Sequence, residues 1–235
     1  MRVVVTRPRD TGERTAQAVR ALGHDVLVAP LMALEPVVAK LDETWSAIVI
    51  TSANAIVAIA ENSALAVLKK LPLFAVGRRS ADAARAAGFT DVSSADGDVR
   101  GLVRLIAARA VPTNAPILYL AGEDRAADLI AELSSHGVSA ELRVVYRTVT
   151  TPFSPALIAA LKARDVDAVL HFSRRSAENY VAGAKAAGVA EAALAVRHFC
   201  LSAQVAEPLA GAHRVAIAAR PEEAALIALL GPPAA

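Results

Sequence analysis

One cysteine in 235 residues, Cys200, leaves no disulfide framework and no paired-thiol redox motif to build on. The five histidines, His24, His136, His171, His198 and His213, include no i, i+4 pair and no cysteine at metal-ligand spacing, so no metal site is expected. Neither G-x-G-x-x-G nor G-x-x-x-x-G-K-[ST] follows a predicted strand, which removes the nucleotide-dependent enzymes of doubly wound fold. Nowhere do the roughly 18 to 20 consecutive apolar residues of a membrane span occur. The positive mean hydropathy comes instead from alanine-rich helices and valine-rich strands. The opening run Val3-Val4-Val5 is cut off by Arg7-Pro8, too short for a signal-peptide core, and the chain is expected in the cytoplasm. A formal charge of +2 gives no broad basic face for a nucleic acid.

What is present is a packed globular chain, 55% hydrophobic and 20% charged, long enough for one large domain or two small ones. Apolar runs of strand length alternate with segments of helical spacing. Val3–Thr6 precedes a helix through Ala16, Val19 and Leu22 that stops at Gly23, and residues 25–30 supply the next strand. Ala47-Ile48-Val49-Ile50 ends in Thr51-Ser52-Ala53-Asn54, a small polar turn that opens a helix and leaves backbone N–H groups able to meet an anion. Residues 73–77 lead to Arg78-Arg79-Ser80 and a helix ending at Gly88. Thr90–Ser93 leads to a helix at Leu102, Leu105 and Ile106.

The pattern then restarts. Ile117–Gly122 matches the first strand, and its helix stops at Gly137 as the first stops at Gly23, an offset of 114 residues at both ends. Val169–Ser173 echoes Val49–Ser52, residues 199–202 echo residues 75–77, and the closing helix 222–230 echoes residues 99–107. Alternating strands and helices predict parallel sheets with helices on both faces, an α/β fold in two lobes. Extended crossovers fall after the second strand of each copy, at residues 34–38 and 146–151. The lobes are therefore expected to be assembled by exchange, one from residues 1–35 and 150–235, the other from 36–149.

The crossover Glu141–Thr150 carries a tyrosine, Tyr146, which from the strand pattern alone reads as a packed residue and from its position between lobes as one facing a cleft. Arg78-Arg79 and Arg174-Arg175 each follow a predicted strand, where basic groups can serve an anionic ligand or only solubility. His171 and His198, although histidine titrates near neutrality, read as packing or surface residues, and Trp45 as a core or linker anchor. On this basis a non-catalytic two-lobed binder of a small anion stands beside an enzyme.

Taken together, Val5-Thr6-Arg7-Pro8, Ile50-Thr51-Ser52-Ala53-Asn54-Ala55, Val76-Gly77 with Ser80-Ala81, Val145-Tyr146-Arg147-Thr148 and Phe172-Ser173 resemble the uroporphyrinogen-III synthase family over nearly the full length. The resemblance implies two flavodoxin-like lobes joined by a two-stranded linker. It implies a lyase that cyclises hydroxymethylbilane with loss of water, inverting the last pyrrole ring through a spiro intermediate, without metal or cofactor. The chain is then expected to be a monomer that takes its substrate by hand-over from the enzyme that makes it, with no nucleic-acid or membrane partner. Tyr146 corresponds to the family's linker tyrosine, a weak acid placed to assist departure of the hydroxyl group.

The substrate bears an acetate and a propionate on every ring, which suits strand ends rich in N–H groups and arginines. The expected binding residues are Thr6, Arg7, Ser52, Asn54, Arg78, Arg79, Ser80, Gly122, Ser173, Arg174, Arg175, Ser202 and Gln204. Ser80 can bind a carboxylate or cap its helix, and Ser52 and Ser173 hold equivalent places in the two copies. Residues 202–205 read Ser-Ala-Gln-Val where many relatives have Gly with threonines, so backbone contacts are what is expected to survive there.

Overall fold

Runs such as Val3-Val4-Val5 and Ala47-Ile48-Val49-Ile50 are apolar at every position because both faces of the strands they form are covered. The computed structural model describes residues 1–109, 115–124 and 128–232. In it the chain divides into two compact units, one of Met1–Ala33 with Val149–Ala235, the other Leu34–Thr148. Each boundary falls one or two residues before the one read from the sequence.

The first unit holds β1 (Arg2–Val5), α1 (Arg9–Ala21) and β2 (Asp25–Val28). After β3 (Met32–Pro36), the second unit runs through β4 (Ala47–Ile50), α2 (Ala53–Ala58), α3 (Leu65–Leu68), β5 (Leu73–Ala75), α4 (Arg78–Ala86), β6 (Val92–Ser94), α5 (Val99–Arg109), β7 (Ile117–Gly122) and α6 (Leu129–Ser135). The long strand β8 (Ala140–Thr150) leads back to the first unit. That unit is completed by α7 (Pro155–Lys162), β9 (Ala168–His171), α8 (Arg174–Ala186), α9 (Ala190–Ala195), β10 (Arg197–Cys200), α10 (Ala203–Ala206), β11 (Val215–Ile217) and α11 (Glu223–Ala228).

The sheet of the first unit has the order β2-β1-β9-β10-β11, and that of the second β3-β8-β7-β4-β5-β6. The pairs β1–β2, β1–β9, β9–β10 and β10–β11 of the first sheet and β4–β5, β4–β7, β5–β6 and β7–β8 of the second are parallel. Counted by copy, each sheet places the first two strands of one copy beside the last three of the other, with β3 added at the edge of the second sheet. Both then follow the flavodoxin-like order 2-1-3-4-5. The switch point of that order, where ligands bind in open α/β sheets, lies between β1 and β9 in the first unit and between β7 and β4 in the second.

Alternation along each strand divides the core. Val4 joins Leu157, Leu161, Ala177 and Tyr180 beneath α7 and α8, while Val3 and Val5 join Val19, Leu226 and Ile227 beneath α1 and α11. In the second unit Ile48 and Ile50 pack with Ile56 and Ala81, and Ala47 and Val49 with Leu102, Ile106 and Leu133. Helices α1 and α6 end against Gly23 at φ 83° and Gly137 at φ 74°, left-handed turns that a Cβ would strain. The two matching stops in the sequence are therefore the same structural event.

β3 and β8 are neighbours in one sheet, tied by Val37 N donating to Val145 O at 2.8 Å and by the Arg147–Glu35 ion pair at 2.7 Å. Beyond it, Thr151 N donates to Leu31 O at 3.0 Å and Thr151 Oγ1 to Pro30 O at 2.7 Å. Trp45 is buried, donates to Leu41 O at 3.0 Å, and lies under the Arg143 guanidinium of β8. It is a core anchor.

Candidate active site

In a parallel sheet every strand ends at the same edge, so the residues just past β1, β9 and β10 converge in the first unit, and those past β4, β5 and β7 in the second. Small hydroxyl residues at these points begin helices. Ser173 accepts Ser176 N at 3.1 Å and caps α8, Ser202 accepts Val205 N at 3.4 Å and caps α10, and Ser52 accepts Asn54 N at 3.2 Å and caps α2. Capping uses an acceptor lone pair, which leaves each O–H proton to donate outward.

At the first unit's edge Arg7 leaves β1 and lays its guanidinium over the Phe172 ring, 4.4 Å from the centroid. Its Nη1 donates to Glu223 Oε2 at 2.8 Å and to Thr15 Oγ1 at 3.2 Å, and the Thr15 hydroxyl donates to Glu223 Oε1 at 2.5 Å. Burial alone would raise the Glu223 carboxyl pKa. Hydrogen bonds from Thr15 and Arg7, with the Arg7 charge, outweigh it and hold the group below the usual carboxylate range. Arg174 is committed to Glu178 through Nε at 2.9 Å and to Glu207 through Nη1 at 2.6 Å. Arg175 and Gln204 are exposed at the same edge.

Thr6, at the end of β1, is turned inward. Its side chain is fully buried, donates to Leu170 O at 3.0 Å and shares a 2.8 Å hydrogen bond with Ser176 Oγ. The hydroxyl ties β1 to β9 and α8. A cap at Ser80 is not formed. Helix α4 starts at Arg78 with Gly77 in the cap position, which puts Ser80 on the third helical residue, turned inward and buried.

The second unit's edge is built around Gly122. A Cβ there would lie 2.6 Å from Tyr146 Cε2 and 2.7 Å from Cζ, so the phenol ring of β8 rests directly on the glycine backbone at the end of β7. A register shift between Ala121 and Gly122 brings Tyr146 opposite Gly122, and Glu123 N donates to Tyr146 O at 2.9 Å. The ring is partly exposed and touches the core cluster of β4 and α2. Beside it, Thr51 and Tyr119 share a hydrogen bond of 3.2 Å between hydroxyls. Asn54 is half-buried on α2. Arg78 and Arg79 are exposed at the start of α4, Arg78 paired with Asp96 at 3.3 Å.

Within each unit, then, the structure gathers the residues the sequence singled out. The first has Arg7, Ser173, Arg174, Arg175, Ser202 and Gln204; the second has Ser52, Asn54, Arg78, Arg79, Gly122 and Tyr146. Sequence reasoning missed Thr15, Phe172 and Glu223 as supports of Arg7. The partners lie up to 216 residues apart, and no local pattern marks such a contact. It also read His171 and His198 singly. They are fully buried neighbours whose Nε2 and Nδ1 are 3.1 Å apart, stacked with ring centroids at 5.3 Å and edged by Tyr180. Burial holds both imidazoles well below their usual pKa, His198 at about 4. A concavity of about 560 Å³ also opens at the opposite, amino-terminal edge of the second unit's sheet, lined by Ser46, Pro72, Asp91 and His136 among others. No predicted site residue lines it.

Residues 13–228 match the family model described as uroporphyrinogen-III synthase HemD. Among solved structures, uroporphyrinogen-III synthetase from Helicobacter pylori superposes with a TM-score of 0.63 at 18% identity, covering 98% of each chain, which establishes a shared fold. Uroporphyrinogen III synthase from Thermus thermophilus aligns over 98% of this chain and 97% of its own at 20% identity, with a TM-score of 0.48. No curated protein sequence matches the chain. Among the described residues, no helix is long and apolar enough to cross a membrane.

Proposed function

The chain belongs to the uroporphyrinogen-III synthase family, and on that premise we propose that it cyclises hydroxymethylbilane to the type III porphyrinogen, losing water and inverting the last pyrrole ring. It is a lyase of tetrapyrrole (heme) biosynthesis. The observation that carries the reading is the family match across residues 13–228, nearly the whole chain. A non-catalytic anion binder would share the fold but finds no support in that match.

In this reading the protein supplies position and a few hydrogen bonds, because a substrate that closes by itself to type I needs steering more than activation. The capped helix starts at Ser52, Ser173 and Ser202 and the arginines at both edges take up acetate and propionate groups. Tyr146, seated on Gly122 at the end of β7, donates its phenol proton to the departing hydroxyl. The leaving oxygen departs as water, the electron-poor carbon it leaves is attacked by the substituted carbon of the last ring to give the spiro intermediate, and that carbon's older bond to its bridge carbon breaks and re-forms at the ring's free position, whose displaced proton restores the phenol. A monomer in the cytoplasm, receiving this short-lived substrate by hand-over from the enzyme that makes it, completes the proposal.

The role of Tyr146 is tested by Tyr146→Phe. Removing only the hydroxyl leaves the ring packed on Gly122, so the melting temperature stays the same while turnover falls by about 10- to 1,000-fold, since general acid assistance typically contributes about 10²–10⁴ and solvent partly substitutes. Normal turnover and normal isomer purity in the variant would make Tyr146 a packing residue of the linker.

A further inference from the structure

Of the arginines at the strand ends, Arg7 is held differently. Arg174 spends Nε on Glu178, and Arg78 turns its Nε to Asp96. The Arg7 guanidinium is instead fixed on two sides: its face lies on Phe172, and its Nη1 is used up by Glu223 and Thr15. Nε and Nη2 make no hydrogen bond with any described residue. Those two nitrogens form one edge of the guanidinium, the fork whose parallel N–H bonds match the two oxygens of a carboxylate. The side chain is about one-quarter exposed. The cluster sits where β1 and β9 end side by side, at the first unit's switch point, and it draws one member from each of the two helices packed on that sheet face, Thr15 from α1 and Glu223 from α11.

We propose that Glu223 and Thr15 are positioning residues that hold Arg7 flat on Phe172 so that its Nε/Nη2 edge takes one carboxylate of the substrate side-on. The inference rests on the family-based reading, which supplies a substrate bearing acetate and propionate arms. A half-exposed ion pair of this kind contributes little to stability, so its value lies in orientation. A long arginine that is already ordered loses less side-chain entropy when a ligand arrives.

Charge and position make opposite predictions, which gives a clean test. Glu223→Ala removes a negative charge beside a site for an anion, so by Coulomb attraction alone it would tighten substrate binding. If Glu223 positions Arg7, the same change raises KM for hydroxymethylbilane by about 5- to 20-fold, with kcat within about twofold, because one oriented charge-assisted contact is lost. Glu223→Gln, which keeps an acceptor oxygen for Arg7, raises KM less. In an Arg7→Gln background Glu223→Ala adds nothing, since there is no guanidinium left to orient. An unchanged or lowered KM in Glu223→Ala overturns the inference, as does an equal rise in the Arg7→Gln background, which would mark general damage to the first unit. A wild-type protein that does not convert hydroxymethylbilane overturns the family-based reading and this inference with it, and is seen in the same assay before any variant is compared.

Discussion

At the scale of single residues, the chemistry depends on contacts that a linear reading reaches unevenly. The strand that carries Tyr146 was legible from its β-branched and aromatic residues. The reason Gly122 is a glycine was not, because the phenol that forbids a Cβ there comes from another strand. His171 and His198 show the same limit. Each reads as an apolar-strand residue, and only the parallel pairing of β9 and β10 brings their rings together. Their surroundings offer no counter-charge. Tyr180 donates its hydroxyl to Ala193 O, and burial pushes the neighbouring Cys200 thiol up to about 12, so both stay neutral. The pair is therefore a cost at low pH. With folded-state pKa values below the unfolded 6.5, the unfolded chain binds more protons between about pH 6.5 and 4, and stability rises with pH across that window. Lowering the pH from 7 to 4.5 should remove on the order of 2 kcal/mol through His198 alone, with His171 adding to it, read by urea unfolding. Replacing both histidines by leucine should flatten the slope, and an unchanged slope would place the titration elsewhere.

At the scale of elements, strands and their exits were readable and short helices were not. Doubly buried strands are continuous apolar runs, and helix stops at Gly23, Gly88 and Gly137 need a left-handed turn, so sequence and structure carry the same signal. α3, α9 and α10 are one to two turns long in alanine-rich segments, where no periodicity can develop. Ser80 does not cap α4 because the helix starts two residues before it, at Arg78. Strand β1 illustrates how the exchange constrains folding. It pairs with β2 and β9 and lies inside its sheet, yet it is separated in sequence from β9 by the whole second unit. Residues 149–235 alone lack that central strand, whereas residues 34–148 carry β4 to β7 and nearly all of β8 without a break. The 34–148 segment should unfold cooperatively with dispersed amide resonances, and 149–235 should do so only when 1–33 is supplied. Cooperative folding of 149–235 by itself would contradict the exchanged path.

At the scale of the whole molecule, a duplicated strand–helix pattern yields two sheets of one topology, each ending in an edge of helix starts, arginines and small hydroxyls. Those edges are chemically similar but not equivalent. The first unit's switch point holds a fixed guanidinium at Arg7, and the second unit's edge a phenol at Tyr146 seated on Gly122 at the end of β7. In the proposed function the first edge holds carboxylates of the substrate and the second gives up a proton to the departing hydroxyl. The most direct test is the identity of the product. Freshly made hydroxymethylbilane is incubated with the purified protein, and the porphyrin isomers are separated after oxidation. The account predicts type III as the dominant product, at a rate well above spontaneous closure. Type I alone, at the uncatalysed rate and at high protein concentration, would contradict it.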